Sequence, residues 1–257
     1  MMDQVIYGMN PVIEVLRATG AHVREILIAR GRKGNLEEIL KLAEKKQIRI
    51  RYRKRSDLAD VAKGGLHQGI VAVVEGNRYA TLEEIIHRWK QSRRRALILV
   101  LDSIQDPQNL GALIRTANFC GSHGVIIPKN RAAQITSTVV KASTGATAFT
   151  PVARVTNIAS TLETLRKKGI WIVGTTGEAE TSLFHQDLTD DLAVVIGSEN
   201  RGIRPLVLRK CDVTVSIPLR GEISSLNASV AAGIVLAEVV RQRLTTGNFK
   251  SQKLNDP

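Results

Sequence analysis

The chain has 257 residues, about 1.7 domains at roughly 150 residues each. Apolar residues make up 43 %, which is enough for a packed core and excludes a mainly disordered chain. Lys and Arg number 37 against 24 Asp and Glu, so the net charge is +13, and a protein this basic is expected to meet a polyanion, nucleic acid or a membrane surface. The only two cysteines, Cys120 and Cys211, exclude a disulfide framework, and no CxxC or Cys/His cluster suggests zinc. The apolar runs at 96–101 and 230–240 are too short to span a bilayer. Met1–Gly8 lacks the layout of a secretion signal, so a cytoplasmic location is expected.

Residues 1–95 hold 20 Lys/Arg and 11 Asp/Glu, a net +9; residues 96–257 hold 17 and 13, a net +4. A basic first module is followed by a larger, nearly balanced one. In the first module, Asn10 and Pro11 read as a helix cap and first helical residue ahead of 12–18. A strand is expected at 25–29 and a helix at 36–46, with Leu36, Ile39, Leu40 and Ala43 on one stripe. Residues 48–53 alternate strictly, with Ile48, Ile50 and Tyr52 on one face and Arg49, Arg51 and Arg53 on the other. Three arginines on one face suit a phosphate-contacting surface or, equally, an edge strand protected by charge. A buried strand at 70–74 closes this unit, 1–75. Residues 76–95 read as a basic linker that starts a helix near Thr81 and ends in Arg93-Arg94-Arg95.

From Ala96 the pattern becomes an α/β alternation. Strands are expected at 97–101, 124–127, 170–174, 193–196 and 213–217, with helices at 110–120, 158–168 and 205–210. Such alternation implies a parallel sheet buried on both faces. A last helix, 226–244, carries Leu226, Val230, Ile234, Ala237 and Val240 on one stripe. The unit runs over 96–245, and 246–257 reads as a frayed tail.

In such sheets ligands sit beyond the carboxyl ends of the strands, and three of those ends carry unusual residues. After the strand at 97–101 come Asn109, Gly111 and Arg115. On a helical wheel Leu110, Leu113, Ile114 and Ala117 face the core, while Gly111, Arg115 and Asn118 face away. Gly111 leaves room for another backbone or a phosphate. After the strand at 193–196 come Gly197, Glu199 and Gly202, with the carboxylate expected at the start of the next helix. After Pro218 come Ser224 and Ser225, either of which could cap the last helix. Capping by a serine leaves Asn227 and Ser229 in the first turns without a reason. Neither a dinucleotide-binding nor a Walker glycine motif is present.

Taken together and in this order, the stretches Asn109–Ala117, Ile196–Gly202 and Ile217–Ala231 resemble the three motifs of the SpoU family, the TrmH-like RNA 2′-O-ribose methyltransferases. Leu219 stands where methionine is usual and Ala228 where valine is common, and neither change removes a polar group. The stretches His67–Ile70 and Ile127–Arg131 further resemble the branch that methylates a guanosine of 23S rRNA. The resemblance implies an α/β knot of the SPOUT type, a deep trefoil, behind a small N-terminal domain similar to ribosomal protein L30e that binds the RNA substrate. It implies a homodimer with S-adenosylmethionine held largely through backbone groups at Gly197, Ile217 and Leu226. It also implies catalytic roles for Asn109, Arg115, Glu199, Ser225 and Asn227, with no metal required. Arg115 would act as the base or, since a guanidinium does not readily lose its proton, as the group that fixes a phosphate and stabilises the developing alkoxide. The RNA is expected to be 23S rRNA, with tRNA as the alternative. A non-catalytic rRNA-binding or assembly factor is the reading from another class.

Overall fold

The computed structural model describes residues 4–17, 23–32, 36–74, 79–222 and 225–246. Two sheets organise them. The first is four-stranded, built from β1 (Gln4–Tyr7), β2 (Val23–Ala29), β3 (Arg49–Arg53) and β4 (Ile70–Val74), in the order β1-β4-β2-β3. β4 runs antiparallel to both β1 and β2, and β3 lies parallel to β2 at the edge. Helices α1 (Met9–Arg17), α2 (Glu37–Lys45) and α3 (Arg55–Val61) cover it. Ile6, Val12, Val15, Leu16, Ile26, Ile28 and Ile70 form its core.

Helix α1 begins earlier than the Asn-Pro pair suggests. Gly8 takes a positive φ of 95°, and the side chain of Gln68 accepts a hydrogen bond from the Met9 backbone N at 3.1 Å. A side chain 59 residues away does the capping, so the local Asn10 is not needed. The backbone carbonyl of Gln68 accepts from Arg32 Nε at 3.0 Å. Strand β1 and helix α3 have no strong periodicity in the sequence and form because the sheet supplies their partners.

Within the stretch expected as a linker, residues 82–92 form α4 (Leu82–Ser92). A reciprocal capping box between Thr81 and Glu84 starts it, and Ile85 and Ile86 are buried in the core of the second unit. That unit is a six-stranded, wholly parallel sheet. Its strands are β5 (Leu97–Asp102), β6 (Gly124–Pro128), β7 (Val152–Val155), β8 (Trp171–Thr175), β9 (Leu192–Gly197) and β10 (Val213–Val215). Their order is β10-β8-β9-β5-β6-β7. Two apolar layers, one on each face, bury β5 throughout and β9 as far as Ile196, as the continuous apolar runs require.

Helices α5 (Pro107–Phe119), α6 (Ser137–Ala142) and α9 (Ala228–Thr245) lie over one face, and α7 (Ile158–Arg166) and α8 (Pro205–Leu208) over the other. Most of the stripe read on α9 faces outward, and of it Ile234 packs against the core. Leu226, Val230 and Ala237 are exposed, while Ala232, Val235, Leu236 and Val239 are buried. This helix is apolar almost all round, so the wheel cannot tell its two faces apart. The tail, 247–257, lies outside the described residues.

Candidate active site

The carboxyl ends of β5 and β9 are paired in register, Asp102 opposite Gly197. Asp102 is fully buried. Its carboxylate accepts from the Arg204 backbone N at 2.8 Å and from Arg204 Nε and Nη2 at 2.8 and 2.7 Å. A buried carboxylate held by three donors offsets its desolvation, and here it ties the turn 198–204 to the end of β5. Sequence reasoning missed this strut. The available signal was a charged residue closing a strand that is otherwise wholly apolar.

Helix α5 is capped by Asp106, whose carboxylate accepts from Gln108 N and Asn109 N at 3.2 and 3.0 Å, and Pro107 fills the first helical position. With the cap supplied by Asp106, the Asn109 side chain is left to reach outward. Its Nδ2 donates to Glu199 Oε1 at 2.7 Å. Asn227 Nδ2 donates to the same oxygen at 2.7 Å and to Asn109 Oδ1 at 2.9 Å. The Ala228 backbone N adds a third donor to Glu199 Oε1 at 3.3 Å. Asn227 Oδ1 accepts from Ser229 N, Ser229 Oγ and Val230 N at 2.9, 2.6 and 3.4 Å. The cap of α9 is therefore Asn227 rather than a serine. Ser225 is exposed two positions earlier, and Ser224 lies outside the described residues. Glu199 also differs from expectation. The helix after it starts only at Pro205, and the carboxylate instead sits at the N-terminal end of α9, where the helix dipole favours it.

Three loops distant in sequence thus meet in one triad of side chains, Asn109, Glu199 and Asn227. Arg115 is not part of it. Six residues further along α5, it is exposed and donates from Nη1 to Thr144 Oγ1 at 3.1 Å. It borders a cleft of about 450 Å³ that Glu14, Ser143 and Phe149 also line. Gly111 does not open onto this cleft. It is buried, and an added Cβ would lie 2.5 Å from Ala142 Cβ and 2.8 Å from the Val139 carbonyl oxygen. Of the two uses foreseen for its missing side chain, close approach of a backbone is the one realised, by α6.

Gly197 is shaped by its own loop. A Cβ there would lie 2.0 Å from the Gly202 carbonyl carbon, and Ser198 and Gly202 exchange backbone hydrogen bonds at 3.1 and 2.8 Å. Ile217 is half-buried against the main core, and Leu219 and Leu226 are exposed in the neighbouring loop. Among the described residues, the backbone groups of 217–222 make no backbone hydrogen bond. Apolar side chains beside backbone groups that have no backbone partner among the described residues fit an adenosine-bearing sulfonium held through the main chain. On the other unit, Arg51 Nε is paired with Glu25 at 2.9 Å, while Arg49 and Arg53 stand exposed on the edge strand. Thiol chemistry is disfavoured at Cys211, because burial, then the charge of Asp212, pushes its thiol up to about 12.

Comparison with known proteins agrees with this geometry. Residues 96–237 match the model of the SpoU rRNA methylase family. Residues 5–80 match the RNA 2′-O ribose methyltransferase substrate-binding family. A Pseudomonas putida protein named 23S rRNA (guanosine-2′-O-)-methyltransferase RlmB is 41 % identical over 242 residues, covering 93 % of this chain and 96 % of its own. A Bacillus subtilis protein, YacO, assigned to the TrmH family of tRNA/rRNA methyltransferases, is 43 % identical over 95 % of this chain and 98 % of its own. Among solved structures, the SpoU methyltransferase AviRb from Streptomyces viridochromogenes, in complex with AdoMet, superposes with a TM-score of 0.79 at 30 % identity. That match covers 95 % of this chain and 91 % of that one. The parallel sheet with its three converging loops has the α/β SPOUT architecture, and the chain belongs to the SpoU rRNA methylase family.

Proposed function

We propose that the protein transfers a methyl group from S-adenosylmethionine to the ribose 2′-OH of a guanosine in 23S rRNA, in the cytoplasm. The observation that carries this reading is the meeting of Asn109, Glu199 and Asn227 at the carboxyl ends of β5 and β9. The full-length similarity to a 23S rRNA (guanosine-2′-O-)-methyltransferase favours rRNA over tRNA. When bound, S-adenosylmethionine supplies an electrophilic methyl group on sulfur.

The chain's own residues do the rest. Ile217 and Leu226 wall the cofactor, and Gly197 lets the 198–204 turn fold tightly beside it. The triad fixes the relative position of the three loops, which keeps attacking oxygen and methyl carbon aligned. Ser225, exposed beside the cap, is available to the substrate. Arg115 binds the phosphate next to the target ribose and stabilises negative charge on the 2′-oxygen as its proton leaves. The unit over 1–75 docks the RNA, with Arg49 and Arg53 offered to phosphates and Arg51 shared with Glu25. The protein works as a homodimer. Its exposed apolar side chains Phe119, Leu226 and Val230 lie on α5 and at the start of α9, and a second copy is the partner that would cover them.

The test is a transcriptome-wide map of ribose methylation in cells with and without the gene. Loss of one 2′-O-methylguanosine in 23S rRNA is expected; loss confined to tRNA, or no loss, would overturn the reading.

A further inference from the structure

At the other end of the central sheet lies a second and larger cleft, of about 1010 Å³. It is bounded by the C-terminal ends of three helices. Lys90, Arg93, Arg94 and Arg95 come from α4 and the turn after it, Cys120 and Gly121 follow α5, and Val240 and Arg243 lie near the end of α9. Five cationic side chains line this cleft against one carboxylate, Asp191, an excess of four. Three helix C-termini contribute about half a negative charge each, which does not cancel that excess. Asp191 is itself engaged, by Arg95 at 3.6 Å and by the Ala96 backbone N at 2.5 Å. Arg93 and Arg94 are exposed, and Arg93 occupies the left-handed region at φ 54°.

The interior of the cleft is already electrostatically loaded. Arg243 is only 6 % exposed. It donates to the carbonyls of Arg95, Ala96 and Asp190 at 3.3, 2.7 and 2.6 Å, and its buried Nε has no partner among the described residues. Burial foremost, with Asp191 opposing and Arg95 adding, draws its guanidinium down to about 10. Burial, then the charge of Arg94, pulls the neighbouring His123 down to about 4. A fold that needed these arginines only for solubility would spread them over its surface; here they converge on a concavity whose described lining holds one carboxylate, Asp191, with Asp190 also pairing with Arg95 at 3.6 Å.

We propose that this cleft is a second RNA-docking site, which takes phosphodiester groups of the rRNA flanking the methylated nucleotide. It opens at the Leu97 end of β5, whereas the triad lies at the Asp102 end. The five residue steps from Leu97 to Asp102, at about 3.3 Å each, separate the two by about 17 Å. The segment bound here is therefore a different part of the RNA from the reacting nucleotide. Its contacts are electrostatic and independent of base identity, so they add affinity and register and leave the chemical step alone. Trp89, at the same rim, offers a flat wall against which an unpaired base can stack.

The inference rests on the RNA-methyltransferase reading, and the experiment separates the two. Full-length protein carrying Arg93→Gln and Arg94→Gln is compared with the unaltered protein. Cofactor titration and the identity of the methylated nucleoside report on the methyltransferase reading and on folding, and both are expected to be unchanged. Binding to an rRNA fragment that includes the flanking helix is measured from 50 to 300 mM salt. The log–log salt slope should become shallower by about 1.5 for two phosphates released. The KM for that fragment should rise with kcat held, and a fragment trimmed to the methylated loop should show no difference. Lys90→Gln with Arg94→Gln should behave alike, and Arg93→Lys with Arg94→Lys should restore the slope. An unchanged slope and KM on the long fragment, in a variant that still binds cofactor, would overturn the proposal and return the cleft to another kind of partner.

Discussion

Glu199 receives three donors on a single carboxylate oxygen, Asn109 Nδ2, Asn227 Nδ2 and the Ala228 backbone N. Glu199→Ala removes this acceptor from all three and leaves Asn227 Nδ2 only Asn109 Oδ1. The site is exposed, so water replaces much of the loss and folding stability falls by about 1 kcal/mol. Methyl transfer should fall by about 10²-fold or more, because the loops lose their common anchor. Glu199→Gln keeps an oxygen in place and should retain more activity than the alanine variant; equal losses in single-turnover assays would contradict the anchoring role. His123 makes a prediction about pH. Its Nδ1 accepts from the Leu97 backbone N at 3.1 Å, so the ring is neutral and Nε2–H donates to Ser92 Oγ at 2.9 Å. Burial, then Arg94, holds its pKa at about 4 against 6.5 when unfolded. Between those values the unfolded chain binds the extra proton. Stability is therefore full above pH 6.5 and declines by about 3 kcal/mol as pH falls to 4. Urea unfolding at pH 7 and pH 5 checks this, and His123→Gln should flatten the difference.

Helices and loops carry the next level of constraint. Gly197→Ala would push a methyl group to 2.0 Å from the Gly202 backbone. The 198–204 turn must then open, and cofactor affinity should drop at least tenfold. Gly111→Ala meets Ala142 and the Val139 carbonyl and should cost about 1–3 kcal/mol by forcing α6 away from α5; cofactor titration measures the first effect and thermal unfolding the second. The core strands β5, β6, β8 and β9 were legible because strands buried on both faces write continuous apolar runs. Other elements were not. The chain over 137–142 and 152–155 is short and gives no period, yet α6 and β7 form there because α5 and β6 offer them a surface. The buried face of α9 was misassigned because apolar residues surround it, and its cap was missed because an asparagine can serve as cap and network member at once. The residues of the triad could be named from the motifs, but that Arg115 would point to Thr144 rather than join them depends on the path of α6.

Across the whole molecule, charge and contact divide differently. The first 95 residues hold most of the net charge, although residues 1–75, with 14 Lys/Arg and 9 Asp/Glu, hold only +5 of it, and the first unit is not isolated. Val140 of α6 is buried in its core, and Lys141 Nζ lies 5.9 Å from the centre of the Tyr7 ring. The charge asymmetry was readable from composition, whereas this docking was not, because a single valine on a short helix carries no signal. Removing residues 1–75 should therefore lower the melting temperature by uncovering Val140, leave S-adenosylmethionine binding in place, and make the salt dependence of RNA binding shallower. An unchanged salt slope would contradict an RNA-docking role for that unit. The chain traversal implied by the family's knot likewise leaves no trace in periodicity, since unthreaded connections are the general rule. The central claim is that loops gathered at the carboxyl ends of β5 and β9, with Arg115 alongside, methylate a ribose. It is tested most directly by single-turnover methylation of a 23S rRNA fragment with the unaltered protein and with Arg115→Ala, beside calorimetric titration of the cofactor. Arg115 is exposed and outside the core, so the account predicts a stability change within about 0.5 kcal/mol and unchanged cofactor affinity. It predicts 2′-O-methylguanosine as the product of the unaltered protein, and a rate at least ~10²-fold lower in the variant that Arg115→Lys does not restore. Near-normal turnover by Arg115→Ala, or a methyl group found on a base, would contradict it.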